Sequence, residues 1–362
     1  MRFSRTPAVG TISLLLAMIT AQSVSASDNH ALAARALHSV TVPSGTTLAD
    51  ELSGIAYIGP DRSCPDTFRF LTVSDSSRQI YELKVVLDTR QKRIRSTKLS
   101  EAIRLALGDD LEGIAYNPHR ESFFISSEVG PAIREHLRLA VGMGKAGDLL
   151  FNVEIPQVFS SIRHNRGFEA VAFDPVRKEL WTANEEALTV DGPASTATKG
   201  CLVRIQKFNE NMKPDGQWAY RTEPVGQRPP LQHQYEASGV VAMEVLPGGE
   251  LLVLERAVDI ERFLGQAVPR FTSRLYEVDL SEAEDVSAVA SLEGKSITVA
   301  GKRLLWSKSF GFENPCNYEG MALGPVFQDG TQSVLIISDD QGGLFNQKLK
   351  LLKLSGGASE KK

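Results

Sequence analysis

The chain has 362 residues, of which 42% are hydrophobic and 23% charged, with a formal net charge of −4. This is globular composition with enough apolar material for a large core, and it excludes a disordered chain. No Lys/Arg block is dense enough to mark a nucleic-acid surface, and Arg90 to Lys98 reads as a solvated hairpin.

In chain order, the first segment stands outside the fold. Arg2 and Arg5 form a basic start, Val9 to Ala21 is a short apolar stretch, and Val24-Ser25-Ala26 fits a small-residue cleavage site. Together they predict a secretory signal peptide over residues 1–26, too short and too quickly followed by polar residues for a retained membrane anchor. Cleavage removes two positive charges and no negative ones from −4, leaving −6. A periplasmic or secreted location follows, with no stable membrane insertion of the mature chain. The three cysteines, Cys64, Cys201 and Cys316, allow at most one internal disulfide. No zinc-type Cys/His spacing occurs, whereas an all-oxygen calcium site suits an exported protein.

From residue 52 onward one motif recurs five times: an acidic or small residue, then Gly or Ala, then alternating apolar residues. The copies are Leu52-Ser53-Gly54-Ile55-Ala56-Tyr57, Leu111-Glu112-Gly113-Ile114-Ala115-Tyr116, Phe168-Glu169-Ala170-Val171-Ala172-Phe173, Ala237-Ser238-Gly239-Val240-Val241-Ala242 and Tyr318-Glu319-Gly320-Met321-Ala322-Leu323. Each is followed, 15 to 21 residues after its Gly or Ala, by a second apolar run ending in acid: Asp75, Glu128, Glu185, Glu255 and Asp339. Turn residues such as Asn117-Pro118, Asp174-Pro175 and Pro247-Gly248-Gly249 lie between, giving strand, turn, strand. Third strands are predicted at Ile80–Val85, Cys201–Ile205, Arg274–Val278 and Lys348–Leu352. Short helices are expected at 100–107, 131–141 and 259–264, and a frayed tail over 355–362.

The motif positions are spaced 59, 57, 69 and 81 residues apart. Long repeats of this kind predict an all-β propeller over residues 27–354, one domain with inserted loops. The widest gap suggests a degenerate extra blade drawn from residues 287–305, so six blades are expected. A pair of β-sandwiches accounts for the strands but not for one motif recurring five times.

In a propeller the innermost strands converge on one axis. Glu112, Glu169 and Glu319 share one motif position, with Ser53 and Ser238 in the other two copies, and Asp75, Glu128, Glu185, Glu255 and Asp339 form a second set. Two rings of carboxylates near one axis repel unless a cation compensates, and calcium is the simplest compensator. Arg166 and Arg256, beside Glu169 and Glu255, are placed to bind phosphate oxygens while a metal polarises the ester. Nucleophile-elbow, dinucleotide and Walker motifs are absent.

The repeated blocks around Ser53-Gly54, Glu112-Gly113, Glu169-Ala170 and Glu319-Gly320, with Val73-Ser74-Asp75, Ser126-Ser127-Glu128, Asn184-Glu185 and Ser338-Asp339-Asp340, resemble the phytase-like family, whose domain is named for the esterase-like activity of phytase. The similarity runs from about residue 48 to 353. The resemblance implies an exported bacterial propeller acting on phosphate esters. The expectation is a monomeric, calcium-dependent phosphoesterase with a small-molecule substrate. Its catalytic residues would be Glu112, Glu169, Glu319, Arg166 and Arg256. Its metal would be held among Asp75, Glu112, Glu128, Glu169, Glu185, Glu255, Glu319 and Asp339. Two alternatives remain open at this point. One is a lactonase or carboxylic ester hydrolase, which needs an apolar wall such as Phe168, Trp181, Phe312 or Tyr318. The other is a non-enzymatic, ligand-binding envelope propeller.

Overall fold

A computed structural model describes residues 32–43, 51–77, 79–100, 103–104, 111–128, 132–137, 148–226, 232–263, 266–311 and 314–356. The expected signal peptide lies outside them. The strands are β1 (Leu32–Thr41), β2 (Leu52–Pro60), β3 (Thr67–Ser74), β4 (Gln79–Asp88), β5 (Arg93–Leu99), β6 (Ile103–Arg104), β7 (Leu111–Asn117), β8 (Ser122–Ser127), β9 (Ala132–Leu137), β10 (Leu149–Asn152), β11 (Phe168–Asp174), β12 (Glu179–Asn184), β13 (Leu202–Phe208), β14 (Pro214–Arg221), β15 (Gln232–Val245), β16 (Leu251–Phe263), β17 (Gln266–Asp279), β18 (Gly301–Phe310), β19 (Asn317–Val326), β20 (Gln332–Asp339) and β21 (Lys348–Gly356).

These strands form five antiparallel sheets: β2-β3-β4-β5, β7-β8-β9-β10, β11-β12-β13-β14, β15-β16-β17-β18, and β19-β20-β21-β1. Each motif copy is the inner strand of one sheet, and β2, β7, β11, β15 and β19 pack side by side in a closed ring. The architecture is therefore a β-propeller of five blades rather than six. The fourth blade absorbs much of the 81-residue gap by lengthening its first three strands to 13 or 14 residues. The segment expected to start a sixth blade is instead a connection laid on the third blade, where the Val286 and Ala300 N–H groups bond to the carbonyls of Gln217 and Ala219. Its last residues then open β18. The three expected helices fall on strands or outside the described residues. Ile103–Arg104 pairs with β4, Ala132–Leu137 is β9, and Asp259 lies in β16 opposite Arg270. A short helical pattern loses to ladder hydrogen bonds, which β9 and β16 make on both sides.

The ring is closed by chain ends. β1 pairs along its length with β21, from Leu32 opposite Gly356 to Thr41 opposite Lys348, so the first described strand completes the last blade. Between blades the contacts are apolar, as where Leu52, Ile55 and Phe70 of the first blade meet Leu335 and Ile337 of the fifth. Inner strands approach so closely that a side chain is excluded at some motif positions. A Cβ on Gly113 would lie 2.4 Å from the Glu169 carbonyl oxygen. Ile55, Ile114, Val171, Val241 and Met321, one from each inner strand, meet on the axis around a space of about 10 Å³, room for about one water. At this level the described residues nearly fill the axis and form an apolar plug.

All three cysteines are free thiols. Among the described residues no helix is long and apolar enough to cross a membrane. The third blade carries a fully buried ion pair, with Arg204 Nε and Nη2 donating to Asp191 at 2.6 and 2.7 Å and Nη1 to Gln217 and to the Val289 carbonyl. It pins the connection of the fourth blade onto the third. Arg204→Met strands Asp191 without its counter-ion, and urea unfolding is expected to show a loss of about 3–5 kcal/mol. An unchanged midpoint would show that this pair does not hold the two blades together.

Candidate functional site

The site lies at the end of the ring where the five inner strands begin. In β2, β7, β11 and β19 the pairing register slips at the motif, around Ser53-Gly54, Glu112-Gly113, Glu169 and Glu319. A bulge leaves its extra residue unpaired and re-aims its side chain, so the motif acids leave the regular alternation of the strand. The two serine positions differ: the Ser53 hydroxyl bonds to neighbouring backbone, whereas at Ser238 only the main chain bonds, to the Ser195 hydroxyl, and the Ser238 hydroxyl itself is buried without a partner among the described residues. Ser53 Oγ donates to the carbonyls of Leu111 and Glu112, each at 3.0 Å. The Ser238 N–H donates to Ser195 Oγ at 2.8 Å.

The centre of the mouth is a guanidinium. Arg256 stands opposite Gly239 in β16, where a Cβ on the glycine would come within 2.6 Å of Glu185 Cγ. Arg256 Nη2 lies 2.6 Å from Glu185 and 3.6 Å from Glu169, and Nη1 binds Glu319. The side chains of all four residues are at most 14% exposed. Nearer the rim, Arg166 Nη1 donates to Glu185 at 3.0 Å, its Nε lies 3.7 Å from Glu186, and Nη2 donates to the Tyr235 hydroxyl. Asn317 Nδ2 links Glu319, at 2.8 Å, to Asp339, at 3.4 Å.

Burial and crowding split these acids. Burial, with the charges of Glu185, Glu319 and Glu112, pushes Glu169 well above the usual carboxylate range. Burial, with Asp339 and Glu185, pushes Glu319 up to about 8. Burial also raises Asp339 and Glu186. For Glu185 burial acts upward too, but Arg256 and Arg166 outweigh it and hold the carboxyl below its ordinary value. The mouth thus holds one firmly ionised acid beside others that favour a proton.

Glu128, Glu169 and Glu185 offer oxygens that lie within 4.8 Å of one another. Oxygens sharing one calcium at 2.3–2.6 Å are at most about 5 Å apart, so the trio can hold such an ion. Glu169 Oε2 is buried without a protein donor, and its carboxyl lies within hydrogen-bond reach of Glu185, so a cation or a shared proton would satisfy it. The donors are all oxygen, which suits a hard cation over zinc.

Of the eight acids expected to ligate metal, three form this trio. Glu319 and Asp339 join through Arg256 and Asn317, and Glu112 acts on Glu169 through its charge. Asp75 follows β3, with its N–H on the Glu51 carbonyl. Glu255 is drawn into a different network, accepting from the Tyr220 hydroxyl at 2.6 Å, the Glu223 N–H at 2.9 Å and Lys302 Nζ at 2.8 Å. Neighbours on a strand face opposite sides, so Arg256, not Glu255, meets the acids. Sequence reasoning passed over Glu186 and Tyr235; the doubled acid Glu185-Glu186 was the available signal for the first. The residues offered as an apolar wall are core residues. Phe168 packs on Phe159, Trp181 stacks on Trp218 and Tyr318 packs on Phe310, while Phe312 lies outside the described residues.

These features define a five-bladed propeller with an acid-and-arginine mouth at one end of a plugged axis. The chain belongs to the phytase-like family, whose model, described as esterase-like activity of phytase, matches residues 47–342. No curated protein matches the chain. Similar solved structures include a PQQ-bound aldose sugar dehydrogenase from Streptomyces coelicolor, at 12% identity over 90% of this chain and 99% of that one with a TM-score of 0.40. Another is an α-L-arabinofuranosidase from Fusarium graminearum, at 8% identity over 88% and 97% with a TM-score of 0.42. At these scores the likenesses carry no argument about site or reaction.

Two outcomes test the electrostatics. Arg256→Met leaves three buried carboxylates facing one another, and a loss of about 3–5 kcal/mol in urea unfolding is expected; an unchanged stability would remove Arg256 from its central role. A carboxyl raised in the folded state costs stability as pH climbs above its unfolded value near 4.5 and toward 8. In chelator, Glu319→Gln is therefore expected to gain roughly 1–3 kcal/mol on wild type between pH 5 and 8. A difference that stays flat with pH would contradict the raised carboxyl.

Proposed function

We propose that the chain is a calcium-dependent hydrolase of phosphate esters, exported after removal of residues 1–26 and acting as a monomer on a small-molecule substrate. One observation carries the reading: Glu169, one of whose oxygens is buried without a hydrogen-bond partner, stands with Glu128 and Glu185 in a trio whose carboxylates offer oxygens within 4.8 Å of one another. The family's esterase-like description supports hydrolysis. Arg166, 22% exposed at the rim, supports a substrate with anionic oxygens.

Glu128, Glu169 and Glu185 would hold the calcium, which when bound would polarise the phosphoryl group and lower the pKa of a water. Arg166 would bind and orient the phosphate, with Tyr235 and Glu185 fixing its guanidinium. Arg256 is a positioning residue: it holds Glu169, Glu185 and Glu319 in place and is too buried to meet substrate. Glu319, protonated near neutral pH, would hold the proton that a departing alkoxide needs.

With 4-nitrophenyl phosphate as substrate, chelation is expected to lower turnover by about 10²-fold or more, with calcium restoring it. Glu185→Gln should lower it comparably when assayed well below the melting temperature of the variant, since Arg256 and Arg166 also lose their shared counter-ion. Because calcium must displace a proton from Glu169, its affinity should rise with pH above the ordinary carboxylate range. Turnover that ignores chelator, or its absence with every phosphate ester tried, would sink the reading.

A further inference from the structure

We infer that the opposite end of the propeller axis is a second binding site, shaped for a compact, largely apolar molecule that carries one protonated amine held by Glu244. The inner strands end there, about 17 Å from the motif acids at roughly 3.3 Å per residue. Their last residues surround a pocket of about 390 Å³, within the size range of small-molecule sites. Tyr57, Tyr116, Phe173, Val245 and Leu323 form its wall, one from each blade. The axial plug of Ile55, Ile114, Val171, Val241 and Met321 separates it from the acid mouth.

Two carboxyl groups line this pocket, and their partners differ. Asp174 is matched by Arg177 at 2.9 Å and accepts the Val176 and Arg177 N–H groups. Among the described residues Glu244 accepts only main-chain N–H groups, from Leu323 at 3.3 Å and from Val245, and none of their cations pairs with it. Glu244 is half-buried in this apolar wall, so the acceptor capacity left over is open to an incoming ligand. A positive donor completes it best, and the aromatic wall suits both an ammonium and a hydrocarbon body.

Burial pushes Glu244 up to about 8. The ionisable groups around it are Tyr57 on β2, raised by burial, Tyr116 on β7, and the Asp174–Arg177 pair after β11; the wall residue on β19 is Leu323. Below pH 8 an incoming amine must displace the carboxyl proton, so amine affinity rises between pH 6 and 8.

The test compares 2-phenylethylamine with the neutral 2-phenylethanol by calorimetric titration of the full mature chain. The amine is expected to bind at least about tenfold more tightly. Glu244→Gln should erase that preference while leaving the melting temperature at pH 6 and calcium binding at the far mouth unchanged. Val176→Arg, which adds a cation at an exposed rim position, should weaken the amine and spare the alcohol; it decides the matter if the first variant does not fold. Equal affinity for the two probes, no binding of either at millimolar concentration, or a preference that survives Glu244→Gln would overturn the assignment.

Discussion

Three carboxylates buried around one guanidinium are the constraint on which the rest of the molecule depends. Glu169, Glu185 and Glu319 come from the third and fifth blades, and Arg256 comes from the fourth. Their mutual repulsion in a poorly solvated mouth would drive the blades apart if the arginine were removed. The same cluster sets the chemistry, because one guanidinium cannot fully neutralise so many acids. Glu185 is kept ionised, Glu169 and Glu319 are pushed toward protonation, and an unpartnered oxygen remains on Glu169.

The propeller makes such a cluster affordable by holding it from five directions. The inner strands are locked by close backbone approach, as at Gly113, and the ring is closed by β1 on β21. The apolar plug then divides the axis into two dissimilar ends. One is acidic and charged, and the other is aromatic with one carboxyl, Glu244, that no cation among the described residues pairs.

Much of this was legible in the sequence, for a physical reason. Every inner strand must pass its neighbours closely and begin at the same mouth, so the demand for a small residue after a bulged one repeats along the chain. That repeat revealed the inner strands and the second strands that follow them, and alternation revealed the third strands of four blades; the third strand of the second blade, Ala132–Leu137, was read as part of a helix. Blade number was misread because a gap of 81 residues can mean an extra blade or longer strands, and hydrophobic alternation continues through both. Glu255 was grouped with the other terminal acids by spacing, but β16 runs on past it, and the alternation of faces hands the axial position to Arg256. Glu244 carried no sequence signal beyond one polar residue in an apolar strand. Its isolation from any cation depends on which blades surround it, and a linear pattern does not record that.

The most direct test of the metal centre is a crystal structure of the mature chain grown with calcium, with anomalous scattering locating the ion. A calcium peak between Glu128, Glu169 and Glu185, with Arg256 still bridging Glu169, Glu185 and Glu319, is the expected result. A mouth without a peak at millimolar calcium, or an ion bound elsewhere with Glu169 Oε2 satisfied by a protein donor, would contradict the account.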